Sequence, residues 1–335
     1  MTQRLVDRRV YEEEIAPWLP SKIIDSHVHI GLADHFGPIA PERYKADWAM
    51  EVGVDQSWEQ LRESLAMLLP CREVSVLAMG VPFQEVDLSR NNDYVLAGAL
   101  EPENRALALF VTRPEWDASV IERALSRGFV GIKPYPDMAP NAGAEPSIFD
   151  FLPKAHLEVL DRLGGVLMLH LPRKGRLADP DNIRELLELA DTYPSIRLIV
   201  AHIGRSFCLP TVQRGLPHFA DRKNIHFDIS ANLNADVFAY ALETVGPERL
   251  IYGSDLPITL MRGVREHVGE DYINFTDGAY SWNTNRKSPE VEADYTFFLY
   301  EELKAIIAAV QRVGMGKEAL ERITYSNAAA LLRLG

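Results

Sequence analysis

Two histidines one residue apart, His27 and His29 in the run Asp25-Ser26-His27-Val28-His29, are the first residues along the chain whose type and spacing can do chemistry. Side chains at i and i+2 of a strand leave the same face, so this pair projects side by side. Two neutral imidazoles so placed make half of a divalent metal site; a pair of hydrogen-bonded interior histidines is the alternative. His170 closes the apolar run Val166-Leu167-Met168-Leu169, His202 closes Leu198-Ile199-Val200-Ala201, and Asp255 follows Ile251-Tyr252-Gly253-Ser254. An imidazole or carboxylate left unpaired at the end of such a run is expensive to desolvate. Convergence of all of them on one cation removes that cost, whereas separate satisfied core residues would each need their own partner.

The elements that must position these residues are readable as short apolar runs at 22–29, 73–82, 105–113, 128–135, 166–172, 197–204, 225–230 and 250–257. Several are rich in Val and Ile and many end at Gly, Pro or a polar residue, which are features of strands in a parallel sheet covered on both faces. Helical spacing is expected between them over 57–69, 116–127, 149–163, 180–191, 234–245 and 293–313. Gly128 stands where a helix C-cap would, and Pro180 with acidic neighbours where a helix would open. Eight strands alternating with helices, with no hairpins between strands, predict α/β architecture and a (β/α)8 TIM barrel occupying 1–335 as one domain. A doubly wound open sheet is the competing arrangement, but no G-x-G-x-x-G follows the first strand. Segments 30–56 and 258–292 are too long for plain loops and read as lid-like insertions after strands 1 and 8. Each polar candidate then lies at the C-terminal end of its strand, where barrel active sites sit.

The HxH on strand 1, His170 and His202 after strands 5 and 6, and Asp255 after strand 8 resemble the amidohydrolase superfamily. The phrases GFVGIKPYP, HIGR, YGSDLP and YSNAAALLRL are similar to its "amidohydrolase 2" branch, which includes aminocarboxymuconate-semialdehyde decarboxylase. The resemblance runs from Ile23 to Leu334. It implies that His27, His29, His170 and Asp255 hold one divalent metal ion, most often Zn2+, and that His202 stands apart as an acid/base. It also implies that Asp255 takes the proton from an attacking water, whose pKa falls to about 7 on zinc. In binuclear members a lysine at the end of strand 4 is carboxylated and bridges two metals. Lys133 occupies that place; the decarboxylase branch implies instead a single ion, and an uncarboxylated Lys133 would contact a substrate anion or a nearby carboxylate.

Arg173 and Arg205 each lie three residues beyond a candidate site histidine. Arginine forks bind carboxylates bidentately, so either is a candidate for a substrate anion, with a solvated loop arginine as the alternative. Tyr135, Trp48 and Trp282 are candidates to line the pocket or to pack the insertions themselves. Asp25 is placed either to support a ligand histidine or simply lower in the barrel. His35, His156, His218, His226 and His267 are not expected to be ligands: His156 falls mid-helix, His218 and His226 flank the wrong end of strand 7, and His35 and His267 belong to the insertions, where exposure is expected.

The chain has 35 Lys+Arg against 48 Asp+Glu, a formal charge of −13. Clustered cations for phosphate contacts are missing, which argues against nucleic acid as a partner. No run approaches the ~18 apolar residues of a membrane span, and the charged N-terminus does not fit a signal peptide. Cys71 and Cys208 lie far apart, so neither a disulfide framework nor a cysteine zinc site is indicated. The expected setting is the cytoplasm, and the expected partners are a small-molecule substrate and further copies of the chain in a homo-oligomer. The leading function is metal-dependent hydrolysis of a small, carboxylate-bearing ester, lactone or amide. Non-oxidative decarboxylation of a small unsaturated or aromatic acid uses the same ligands and is the alternative. A non-catalytic binding barrel is the third reading.

Overall fold

In the computed structural model, which describes residues 3–46, 49–52, 55–140, 145–278 and 280–334, all eight apolar runs form strands of one sheet. They are β1 (Lys22–His29), β2 (Glu73–Met79), β3 (Ala106–Val111), β4 (Gly131–Lys133), β5 (Val166–Leu169), β6 (Arg197–Val200), β7 (Ile225–Asp228) and β8 (Leu250–Ile251). The order follows the sequence, every neighbouring pair is parallel, and helices alternate with the strands. The Ser26 amide donates to Tyr252 O (3.0 Å), Asp255 N to His27 O (2.8 Å) and His29 N to Leu256 O (2.8 Å). These bonds bring the last strand against the first, giving a (β/α)8 barrel. Gly253 permits the closure: a Cβ there would lie 2.7 Å from the His27 Cβ.

Strand alternation divides the apolar residues into two cores. Ile24, Leu77, Met79, Leu109, Val111, Met168, Ile199 and Ile251 share an inner cluster, while Ile23, Val76, Ala108, Phe110, Leu167, Leu198 and Val200 join the larger cluster beneath the helices. The inner cluster fills the barrel with side chains, so polar groups can gather only above it.

The expected helices occur at Trp58–Leu68, Ala118–Arg127, Lys154–Leu163, Pro180–Thr192, Ala235–Val245 and Phe298–Arg312. Asp179 caps the helix that begins at Pro180, and Gly128, at φ 122°, ends the helix Ala118–Arg127. A further helix, Leu88–Ala99, escapes a reading based on apolar spacing because two of its inward positions are asparagines. Asn91 accepts from Val81 N (2.9 Å) and donates to Ile30 O (3.0 Å), and Asn92 exchanges bonds with the Val111 backbone.

The second insertion differs from the loop expected of it. Residues Gly263–Val268 (β9) and Asp271–Thr276 (β10) form an antiparallel hairpin around Gly269, at φ 63°, and Glu270. Alternation on either side of a Gly-containing pair is a hairpin signature, so the signal was in the sequence. In the first insertion His35 is buried, with Asn91 Nδ2 3.2 Å from its Nδ1, and is not the exposed residue expected. Trp48 lies outside the described residues. Among the described residues no helix is long and apolar enough to cross a membrane.

Candidate metal centre and cavity

Above the inner core, the C-terminal ends of β1, β4, β5, β6 and β8 surround a cavity of about 310 Å³, lined by His27, His29, Lys133, His170, His202 and Asp255 together with Tyr135, Arg205 and Arg265. The tightest group of ligand atoms among the described residues belongs to His27, His202 and Asp255, all within 4.8 Å of one another. Asp255 Oδ1 lies 3.4 Å from His29 Nε2 and 3.6 Å from His27 Nε2. The His170 ring centre is 5.3 Å from that of His202.

Each of three imidazoles is fixed from behind. His27 Nδ1 donates to Asp228 Oδ2 (3.0 Å), His29 Nδ1 to Gly80 O (3.1 Å) and His202 Nδ1 to Ser230 O (3.0 Å). Carboxylate and carbonyl oxygens only accept, so the proton sits on Nδ1 and leaves Nε2 with a free lone pair. Imidazole nitrogens and a carboxylate, as gathered here, are the donors that zinc and other borderline divalent ions favour. His170 Nδ1 is buried with no hydrogen-bond partner among the described residues. The residues present therefore fit a divalent ion.

Electrostatics follow from burial. Desolvation, with the Lys133 charge, pushes His27 down to about 3, so its ring stays neutral. Desolvation and the Arg205 charge push His170 well down too. Burial alone would raise Asp255, but the His29, His27 and His202 imidazoles beside it hold it at about 2. Lys133 is fully buried, 3.5 Å from His27 Nε2, and desolvation lowers it to about 8.

Backbone strain concentrates here. His202, Ile203, Gly204 and Arg205 have φ of 56°, 48°, 61° and 62°, one turn of left-handed chain, and Asp255 has φ 61°. Each non-glycine residue in this region costs roughly 1–2 kcal/mol, a cost found at functional sites where the surroundings enforce it. The enforcement is visible: Asp228 Oδ1 accepts from His202 N (2.8 Å). At Gly204 a Cβ would come within 2.7 Å of Leu177 Cδ1. The turn aims both His202 and Arg205 at the cavity. The Arg205 Nη1 donates to Leu171 O (3.2 Å) and Pro172 O (3.4 Å).

Not every sequence candidate reaches the site. Arg173 Nη1 faces Glu185 Oε1 at 3.4 Å and does not line the cavity; its loop turns it toward the helix Pro180–Thr192. Trp282 stacks on Tyr280 with ring centres 5.2 Å apart, as packing within its insertion. Asp25 accepts from the backbone amides of Ser254 (2.8 Å) and His27 (3.3 Å), so it sits lower in the barrel than a ring-supporting residue. Burial raises its carboxyl to about 7, against the bonds from Ser254. The supporting carboxylate is Asp228, which the sequence reading passed over although it closes the run Ile225-His226-Phe227. Burial would raise it, but the adjacent His27 imidazole, which donates its Nδ1 proton to it, holds it below the usual carboxylate range. Arg265, on β9, was also passed over.

A family model described as Amidohydrolase matches residues 24–334. No curated protein matches the chain in sequence. Solved structures share the fold at low identity. A probable 2-pyrone-4,6-dicarboxylic acid hydrolase from Acinetobacter baumannii, with citric acid bound, is 17% identical with a TM-score of 0.59, over 93% of this chain and 99% of that one. A 2,6-dihydroxybenzoate decarboxylase from Rhizobium is 15% identical with a TM-score of 0.56, over 94% and 99%. A 5-carboxyvanillate decarboxylase from Novosphingobium aromaticivorans, complexed with manganese and 4-hydroxy-3-methoxy-5-nitrobenzoic acid, is 14% identical with a TM-score of 0.58, over 93% and 96%.

Proposed function

The chain belongs to the amidohydrolase family, and on that premise we propose that it is a metal-dependent hydrolase of a small, carboxylate-bearing ester, lactone or amide. His27, His29, His170 and Asp255 would hold a single divalent ion, taken as zinc. Bound there, the ion would supply Lewis acidity toward a carbonyl oxygen and toward water.

The observation that carries hydrolysis is the pairing of two proton acceptors on one cavity. Asp255 presents a carboxylate oxygen beside the His27 and His29 rings. His202, its Nδ1 proton tied to Ser230 O, presents Nε2. Water adds to the acyl carbon as Asp255 accepts one of its protons; the bond from that carbon to the leaving oxygen or nitrogen then breaks, and His202 carries the water's second proton from the adduct to the leaving atom. Arg205 and Lys133 bring positive charge for a substrate carboxylate, Tyr135 flanks His170 with ring centres 4.8 Å apart, and Val81, Phe83 and Ile258 line the cavity and keep it partly dry.

Decarboxylation is the second reading, favoured by the aromatic wall of Phe207 and Tyr272, ring centres 5.3 Å apart, which suits a flat acid, and by the two decarboxylases of similar fold. The test offers the zinc-loaded protein a panel of small carboxylate-bearing lactones, esters and amides beside aromatic acids, following acid release by pH-stat and CO2 by gas analysis. Hydrolysis predicts acid release without CO2. CO2 from the aromatic acids with no ester or lactone turnover overturns it.

A further inference from the structure

The barrel chemistry makes no use of one buried cation. Arg265 is only 8% exposed and lines the cavity from the β9–β10 hairpin. Its two hydrogen bonds go to neutral acceptors, Nε to Asn274 Oδ1 (2.9 Å) and Nη1 to Ala231 O (2.7 Å). The guanidinium carbon lies 4.3 Å from the Tyr272 ring centre and 5.1 Å from that of Phe207. Among the described residues no carboxylate forms an ion pair with it.

Burying a guanidinium without a counter-charge is costly, and buried arginines are normally paired. Arg262, three residues earlier and equally buried, shows the usual solution: both its Nη atoms bond Asp7, at 2.5 and 2.7 Å. Arg249, buried at the other end of the barrel, is met by the carbonyls of Phe219, Ala220 and Arg222. Arg265 has neither arrangement. The aromatic faces offset part of the cost, but its Nη2 edge has no hydrogen-bond partner among the described residues.

We propose that Arg265 is a specificity-determining residue that binds a carboxylate of a small planar acid, framed by Tyr272 and Phe207. The assignment rests on reading this cavity as the substrate site, and holds whichever bond is broken there. A guanidinium edge accepts a carboxylate through charge-assisted hydrogen bonds, and flat rings on either side favour a flat ligand. Arg265 is also pre-set: Asn274 and Ala231 fix two of its nitrogens, and Glu302 Oε2 accepts from Ala231 N (2.7 Å), holding the same residue from the other side.

A purely structural role, keeping Ala231 at its φ of 52°, is the competing account, and binding separates the two. The probes are isophthalate and terephthalate, each compared by titration calorimetry with its monoamide, which keeps the shape and removes one charge. Wild-type protein should bind at least one diacid about 10–100-fold tighter than its monoamide. In Arg265→Met that ratio should fall to about one, while zinc content stays at the wild-type level. Arg265→Lys keeps the charge but loses the fork, so its ratio should drop several-fold; it decides the matter if Arg265→Met does not fold. An unchanged ratio in the folded variants, affinities for acid and amide falling in parallel, or no diacid binding to wild type each overturns the proposal. Failure of the hydrolase reading looks different: turnover or metal is missing while the Arg265-dependent charge preference persists.

Discussion

Histidines stand at both ends of this barrel and are held in opposite ways. At the C-terminal ends of the strands, His27, His29 and His202 are anchored through Nδ1 and turn Nε2 toward a shared cavity. His226, in β7 near the opposite end, has a buried Nδ1 with no hydrogen-bond partner among the described residues, and burial with the Arg249 charge, against a hydrogen bond with the Leu198 backbone, lowers it to about 4. His156 directs Nε2 to Trp116 O at 2.7 Å, closed in between a helix and its neighbour. Burial does not separate the two kinds, since His27 and His156 are both 1% exposed. What separates them is whether a ring nitrogen converges on the cavity with those of its neighbours. A convergent set behaves as one unit, so its members should fail together, while the others should fail alone.

The largest expected effect tests that unity. Elemental analysis of wild-type protein should find about one equivalent of zinc, and His27→Ala should lose both the metal and all measurable turnover, because removing one ligand leaves an open, weak site. Two equivalents with a carboxylated Lys133 would contradict the single ion. His202→Asn sharpens the comparison inside the cluster. As an acid/base it should keep its metal while kcat drops about 10²–10⁴-fold. Loss of zinc in that variant would move His202 among the ligands, where its closeness to His27 and Asp255 already puts it geometrically.

The barrel was legible because parallel strands buried on both faces read as apolar runs, and the polar residue closing each run marked its C-terminal end. That same signal was present at Asp228 and was not used, since a carboxylate behind a ligand looks in sequence like any strand-ending acid. Arg173 and Arg205 were indistinguishable, each three residues past a histidine. Their directions depend on things spacing does not encode: a left-handed turn stabilised by Asp228 for Arg205, and a helix-borne Glu185 for Arg173. Arg265 was hidden for a different reason. Alternation can reveal the hairpin that carries it, but only docking of that hairpin on Ala231 decides which face looks into the cavity.

Asp228→Asn should have an intermediate effect. The amide removes the charge facing His27 Nδ1 and can present its NH2 there instead, so the ring loses the anchor that fixes its tautomer. Removing such support costs about 10–100-fold in metal affinity or activity. Competition with a chromophoric chelator measures the affinity, and a melting curve checks the fold, because Asp228 also accepts from His202 N and Ser230 N. Zinc affinity unchanged from wild type would mean that Nε2 donors converge without help from behind.

The smallest effect belongs to the other end of the barrel and should appear only in stability. His226 titrates at about 4 in the folded chain and near 6.5 when unfolded. Between those values the unfolded chain binds more protons, so stability is fully present above pH 6.5 and is lost as pH falls toward 4. Allowing for its partial exposure, the loss is about 2 kcal/mol at most. Denaturant midpoints measured across that window should show a slope that His226→Gln flattens, with zinc content and turnover untouched. If the variant keeps the wild-type slope, the acid sensitivity lies in other groups; if it loses zinc, the two ends of the barrel are coupled and the division between convergent and isolated histidines does not hold.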